Sequence, residues 1–401
     1  SITGRRIEVV AVSARQRRKK RAAPIGDFEW HDDALALARH PRVDVVLELI
    51  GGAGGIAKKL CETALANGKA VVTANKALLA LHGTELAQAA EKAGQPLRFE
   101  AAVAGGIPIV KALREGLVGN RILGVYGILN GTCNYILTEM RASRRDFAAV
   151  LAEAQAKGFA EADPSFDVDG IDAAHKLTIL ASLAFGCPVN FDAVHVEGIR
   201  PITAIDIAYA DEFGFRIKLL AIARLTERGL EQRVHPCMVP VDTAIAHVDG
   251  VINAVVAEGD FVGSTVFEGR GAGAGPTASA VVADLVDIAA GRHVYPFGVP
   301  TKLLKRLRAA PMREHLSRYY IRLMVYDRPG VIAEVSAVLR DQRISIESLV
   351  QRGRADAADS AVAVVLVSHE VDEAAMQRAK ERIGRLKSVV EPPCVIRIEQ
   401  L

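Results

Sequence analysis

The sequence predicts an α/β fold: a doubly wound parallel sheet, then an α+β unit, then a small ferredoxin-like unit. Three observations carry this. Over the first third, short Val/Ile-rich runs alternate with helical stretches, as in strands buried on both faces between crossover helices. After Gly124 the runs change to longer helices and several β-rich stretches. From Tyr319 the order becomes βαββαβ, the split ferredoxin-like motif. A chain of 401 residues is also too long for one hydrophobic core, so two or three domains are expected.

Each element follows from its local pattern. Ile7–Val12 (IEVVAV) and Val43–Ile50 (VDVVLELI) read as buried strands, Leu60–Ala66 as helix and Ala70–Thr73 as strand. Thr84–Lys92 reads as helix and Leu97–Val103 as strand. Val125–Leu129 opens the second unit as a strand. Asn134–Arg141 and Phe147–Lys157 are helical, and Gly158 stops the latter. Ile171–Phe185 is a longer apolar helix, Lys218–Ala223 and Val251–Val256 are β-rich, and Ala278–Ala290 is a helix preceded by glycine. Pro296, Pro300 and the basic stretch to Arg318 read as a linker. Tyr319–Val325 and Ala361–Val367 are strands, and Glu373–Leu386 is a helix of the last unit. The expected divisions are 1–123, 124–270, a return segment 271–300, a linker 301–318, and 319–401.

Composition excludes several function classes. Half the residues are hydrophobic and the net charge is only +3, which argues against nucleic acid or an anionic membrane as the main partner. The basic run Arg15–Arg21 (RQRRKKR) reads as a solvated loop rather than a nucleic-acid patch. Cys61, Cys133, Cys187, Cys237 and Cys394 are scattered and odd in number, without metal-ligand spacing, which suits a reducing cytoplasm. No apolar stretch is long enough to span a bilayer, and no signal peptide is expected.

The densest chemistry lies in Gly158–Lys176 (GFAEADPSFDVDGIDAAHK), with carboxylates at Glu161, Asp163, Asp167, Asp169 and Asp172. Asp172 and Lys176 are four apart and share one helix face. Apolar neighbours turn this pair toward a cleft; the same spacing also describes an ordinary surface salt bridge. An acid/base pair of this kind suits a reaction that moves a proton to or from a carbonyl oxygen. In Val71–Lys76 (VVTANK) a strand ends in a polar turn, so Lys76 stands where ligands meet open α/β sheets, or is a solvated loop lysine. Gly51-Gly52-Ala53-Gly54-Gly55 and Gly269–Gly275 (GRGAGAG) each precede a helix and permit close backbone approach to a dinucleotide, though glycine turns are common. No GxGxxG follows a first strand. If Ile7–Val12 is the second strand of a Rossmann sheet, Ser13 and Arg15 at its end suit a 2′-phosphate better than a ribose diol. Asp327, Pro329, Gly330 and Val331, in YDRPGV, shape a strand–helix turn able to hold a carboxylate, or a plain connection.

Together VVTANKALLA, FEAAVAGGIPIV, ILNGTCNYIL, GFAEADPSFDVDGIDAAHKLTILA and GRGAGAGPTASAVVADL resemble the homoserine dehydrogenase family, in order, from about Val43 to Leu285. YDRPGV resembles an ACT domain. The resemblance implies a Rossmann-like sheet that lacks its first strand and glycine fingerprint in this chain, an α+β catalytic and dimerisation domain, and a C-terminal ferredoxin-like ACT domain. It implies NAD(P)-dependent interconversion of L-homoserine and L-aspartate 4-semialdehyde, in threonine, methionine and isoleucine biosynthesis, with feedback by an amino-acid effector such as threonine. It assigns Lys176 as proton donor, Asp172 as its partner, Lys76 between nicotinamide and substrate, and Glu161 and Asp167 to substrate binding. Gly51, Gly52, Gly273, Gly275, Ser13, Arg15 and Lys76 would meet the cofactor, NADP in preference to NAD. A monovalent cation, Na+, would sit on backbone oxygens of Glu100, Val103, Gly105 and Ile107. A homodimer or homotetramer is implied. The alternatives are an amino-acid sensor with an inert front end, and a basic interaction protein acting through Arg15–Arg21.

Overall fold

The computed structural model describes residues 4–19, 28–352 and 361–401. Lys20 and Arg21 of the basic run lie outside them. The first unit holds parallel strands β1 (Ala11–Ser13), β2 (Glu29–His31), β3 (Val45–Glu48), β4 (Ala70–Thr73) and β5 (Leu97–Arg98). Helices α1 (Ala34–Arg39), α2 (Gly55–Ala66) and α3 (Lys76–Ala93) connect them. β1 pairs β2, and β3-β4-β5 form a separate ladder, so the parallel arrangement is interrupted between β1 and β3.

That interruption corrects two expectations. The run from Ile7 is strand only at Ala11–Ser13, with Ile7 and Val9 exposed. Val43–Ile50 shortens to β3, with Leu47, Leu49 and Ile50 exposed. Among the described residues β1 pairs only β2 and β3 only β4, so each strand keeps one flank without a neighbour to extend its pairing or cover its ends. Leu97–Val103 is also shorter than expected. After β5 the chain tightens into a 3₁₀ turn, Glu100–Ala102, and Ala104 and Gly105 take positive φ of 50° and 30°.

The second unit begins with β6 (Ile122–Ile128). A short turn, α4 (Ile109–Lys111), precedes it, and α5 (Gly131–Ser143), α6 (Phe147–Ala156), α7 (Ser165–Val168) and α8 (Ile171–Phe185) follow. α8 has the expected bounds, set by Gly170 and Gly186, both left-handed. It is buried around almost its whole circumference, between α3 and the sheet of β6, β8 (Phe215–Thr226) and β9 (Gly229–Pro240). Strand β7 (His195–Val196) lies against β9, and α9 (Ala204–Glu212) packs on β8. β10 (Ile252–Gly259) and β11 (Gly263–Arg270) complete this side of the sheet, and α10 (Ala274–Ala289) returns to the first unit beside β4. The sheet is buried on both faces: Val125 faces the main core while Tyr126 and Ile128 face a second cluster with Leu220 and Val239.

The third unit has β12 (Leu316–Tyr326), α11 (Val331–Asp341), β13 (Ile346–Gln351), β14 (Ala361–Ser368), the short β15 (Val371–Asp372), α12 (Glu373–Ile383) and β16 (Cys394–Ile398). It has its own core around Tyr319, Leu323, Val335 and Met376. Its sheet is nevertheless continuous with the second unit, because β16 pairs in parallel with β9 at Arg397↔Cys237 and Ile398↔Met238. The resulting order is β11-β10-β6-β8-β9-β16-β12-β14-β13. The stretch expected as a linker is pinned too: Leu230 N donates to Arg308 O, and Lys305 N to Gly186 O.

Buried charge stitches this junction. The Arg397 guanidinium donates to Glu197 at 2.8 and 2.9 Å and to Glu373 at 2.6 and 2.7 Å. Arg233 on β9 grips both oxygens of Glu399, and Arg322 with the Tyr320 hydroxyl reaches Asp206 on α9. Removing one partner of such a set strands the others in a poorly solvated place. Arg397→Met therefore lowers stability by about 3–5 kcal/mol, measured by urea unfolding, and pairing it with Glu373→Gln recovers part of the loss.

Candidate active site

The site forms where two helix N-termini meet. Asn75 caps α3, its Oδ1 accepting from Leu78 N, and Lys76 is the first helical residue rather than part of a loop. Gly170 opens α8, which places Asp172 in its first turn, where the helix dipole favours a carboxylate. Because α3 packs along α8, the two starts converge. Lys76 Nζ lies 2.8 Å from Asp172 Oδ1, and Lys176 Nζ lies 2.7 Å from Asp172 Oδ2. Lys176 also donates to Leu129 O at 2.7 Å, at the end of β6. Asp172 and Lys176 are 3% and 7% exposed, which decides against the surface salt bridge that the spacing alone allowed.

A third donor completes the arrangement. Asn130, between β6 and α5, caps α5 through its Oδ1 and donates from Nδ2 to Asp172 at 2.9 Å and Asp167 at 2.7 Å. Burial works to raise the Asp172 pKa, but Lys176 and Lys76 outweigh it and hold the carboxyl well below its usual range. Asp167 differs: burial pushes its pKa up, against hydrogen bonds from Asn130 and Thr132. The site thus offers an ionised carboxylate, two ammonium groups and a second, less acidic carboxyl. Such a set can polarise a carbonyl and deliver a proton to its oxygen. His175 lies beside it between Phe166 and Phe191 as an aromatic wall, and burial lowers its pKa, which favours the neutral ring.

Glu161 is exposed, at the start of the acidic loop, with no side-chain partner among the described residues. Gly51 and Gly52 have φ of 83° and 84°, with open space over both α-carbons, and lie ahead of α2. Gly273 caps α10 with φ 109° and Gly275 is in its first turn, also open. Their neighbour Gly271 has a packing role, because a Cβ there would lie 2.1 Å from the Asn253 side chain. Ser13 ends β1 half-buried, and Arg15 is exposed beyond it. The carbonyls of Val103 and Gly105 accept no hydrogen bond among the described residues; those of Glu100 and Ile107 accept from Val103 N and Ile109 N. In the third unit, Gly330 caps α11 in the left-handed region, Val331 is buried, and Asp327 accepts from Gln351.

Asn130 was not singled out from the sequence. Its signal was present, an Asn closing a strand ahead of a helix, but that pattern reads as a cap and nothing more.

Comparison with known proteins gives a consistent result. The family model "Homoserine dehydrogenase" matches residues 108–286, "Homoserine dehydrogenase, NAD binding domain" matches 3–100, and "ACT domain" matches 319–384. The chain is 49% identical to a homoserine dehydrogenase of Pseudomonas aeruginosa, over 99% of this chain and 92% of that protein. It is 48% identical to one from Neisseria gonorrhoeae, over 92% of this chain and 86% of that protein. A crystal structure of a homoserine dehydrogenase from Thiobacillus denitrificans has a TM-score of 0.87 and 46% identity, covering 93% of this chain and 86% of that one. A hyperthermophilic archaeal homoserine dehydrogenase in complex with NADPH has a TM-score of 0.59 and 29% identity, covering 68% and 79%.

The carboxylate between the lysines makes a prediction about stability. Asp172→Asn leaves two ammonium groups without their counter-ion and costs about 3–5 kcal/mol at neutral pH. Because the folded Asp172 pKa is depressed, its contribution is present above the unfolded value of about 3.9 and is lost as pH falls through the folded one. Urea midpoints of parent and variant therefore converge only on the acid side of that window.

Proposed function

This chain belongs to the homoserine dehydrogenase family of oxidoreductases, and we propose that it reduces L-aspartate 4-semialdehyde to L-homoserine with NADPH and catalyses the reverse oxidation. The observation that carries this reading is Asp172 clamped between Lys76 and Lys176. When bound, the nicotinamide supplies or takes the hydride at the carbinol carbon. In reduction, negative charge gathers on the aldehyde oxygen, and the Lys176 ammonium gives it a proton. In oxidation, Lys176 takes that proton back. Asp172 and the Leu129 carbonyl aim the ammonium, and Asn130 fixes Asp172. Lys76, on the cofactor side, adds positive charge where the oxygen turns anionic. Glu161 takes the substrate's amino group, with Asp167 nearby.

For the cofactor, the open, positive-φ Gly51 and Gly52 ahead of α2 fit a phosphate-bearing ligand, as do Gly273 at the cap of α10 and Gly275 in its first turn. Ser13 and Arg15 would hold the 2′-phosphate of NADP. The turn through Ala104 fits a monovalent cation such as Na+, since the Val103 and Gly105 carbonyls have no donor among the described residues and Glu100 and Ile107 add two more oxygens. The assembly we propose is a homodimer or homotetramer in the cytoplasm, supplying threonine, methionine and isoleucine synthesis. Five buried free cysteines suit that compartment, and no helix among the described residues is long and apolar enough to cross a membrane.

NADPH oxidation by aspartate 4-semialdehyde tests the reaction. Lys176→Ala is expected to lower kcat by about 10²–10⁴-fold with folding retained; near-normal kcat would remove Lys176 from the chemistry. For regulation, the reading is feedback by threonine at Asp327, Pro329, Gly330 and Val331. L-threonine should inhibit, and Gly330→Ala, which strains a φ of 97°, should raise the inhibitory concentration with kcat unchanged. Equal sensitivity in both proteins would place the effector elsewhere.

A further inference from the structure

Glu48 is fully buried, yet it has no cationic partner among the described residues. It is the last residue of β3, level with Thr73 at the end of β4, on the carboxyl edge of the ladder. A buried carboxylate without a counter-ion is costly unless hydrogen bonds fill its oxygens. Here they do, and each oxygen leans mainly on a different segment, with Asn75 Nδ2 also reaching Oε1 at a long 3.5 Å. Oε1 accepts from Ile50 N at 2.7 Å and Gly51 N at 3.2 Å, which holds the glycine loop as it leaves the strand. Oε2 accepts from the Thr73 hydroxyl at 2.6 Å, and that hydroxyl accepts from Asn75 N at 3.0 Å. Asn75 in turn caps α3 and donates to Gly52 O at 2.8 Å, closing a ring between the two loops. The next residue is Lys76, on Asp172.

We infer that Glu48 is a positioning residue for the reaction: one oxygen sets the cofactor-facing glycine loop, the other sets the turn that delivers Lys76 to Asp172. This rests on the dehydrogenase reading above. The fold alone does not call for an anion here, since the β3–β4 ladder is made by backbone bonds. What the carboxylate adds is a fixed relation between the two loops. Asparagine would be too short to reach both, and glutamine must present a donor on one side.

The two arms separate by mutation. Glu48→Ala loses both, Thr73→Val loses only the Oε2 arm, and Glu48→Gln keeps an acceptor for Ile50 and Gly51. NADPH affinity by fluorescence titration, kcat and KM, and amide hydrogen exchange at residues 50–52 without cofactor give three readouts. Glu48→Ala should weaken NADPH binding and lower kcat, each by about tenfold or more, the size of one lost hydrogen bond to a charged acceptor, with faster exchange at Ile50 and Gly51. Thr73→Val should lower kcat by a similar factor while NADPH affinity stays within about twofold. Glu48→Gln should follow Thr73→Val. The inference fails if Thr73→Val and Glu48→Gln leave kcat unchanged, or if folded Glu48→Ala retains parental affinity and kcat. A parent that binds NADPH but does not reduce the aldehyde would overturn the reaction instead, leaving the binding and exchange arms to judge Glu48.

Discussion

The placement of one carboxylate governs this molecule. Asp172 is almost wholly buried and touches an ammonium group on each of its oxygens. Burying charge in this way is unfavourable by itself and becomes tolerable only when every member is matched and hydrogen-bonded. The surrounding structure supplies those conditions. α8 brings Lys176 one turn below Asp172, α3 brings Lys76 from the first unit, and the end of β6 brings Leu129 O and Asn130. The proposed dehydrogenase chemistry would use the same arrangement, because a proton donor held by an ionised carboxylate is already oriented before substrate arrives.

Some of this was legible in the sequence for identifiable reasons. Gly170 and Gly186 bracket α8 with residues that tolerate left-handed backbone, so its bounds could be read from composition. Asp172 and Lys176 share a face by helical spacing. Spacing carries no information about burial, however, and only the packing of α3 and the sheet around α8 shows that the pair is enclosed. Lys76 is remote from Asp172 in sequence, and its place there depends on α3 beginning at Lys76, well ahead of the helix expected from Thr84. Asn130 carries only the pattern of an ordinary cap in the sequence, because half of its side chain is one. The βαββαβ order of the third unit was readable, whereas its continuity with the second sheet was not. That continuity rests on two residues of pairing between β9 and β16, too short to leave a pattern.

Errors at the strand ends have two causes. Apolar runs such as Ile7–Val12 and Val43–Ile50 show that a strand is possible; its length depends on neighbouring strands on both sides. Among the described residues β1 and β3 each pair along one edge, and both runs are shorter and more exposed than their hydrophobicity implies. In the Leu97–Val103 run, backbone geometry intervened: the chain leaves β5 for a 3₁₀ turn and then takes positive φ at Ala104, which no β-propensity signals.

The β9–β16 pairing also bears on how the chain acquires its shape. Strands β6 to β11 are contiguous in sequence and can assemble as soon as they are synthesised, with α8 laid across them. Beyond the short β7, the outer edge of β9 must then wait for β16, which comes last in chain order and has to meet β12 as well. Closing so distant a contact is slow, and an unpaired central edge is open to wrong partners meanwhile. During synthesis, therefore, the exposed backbone of β9 is the place where a chaperone would have most to protect, and where a stalled or clipped chain would first aggregate.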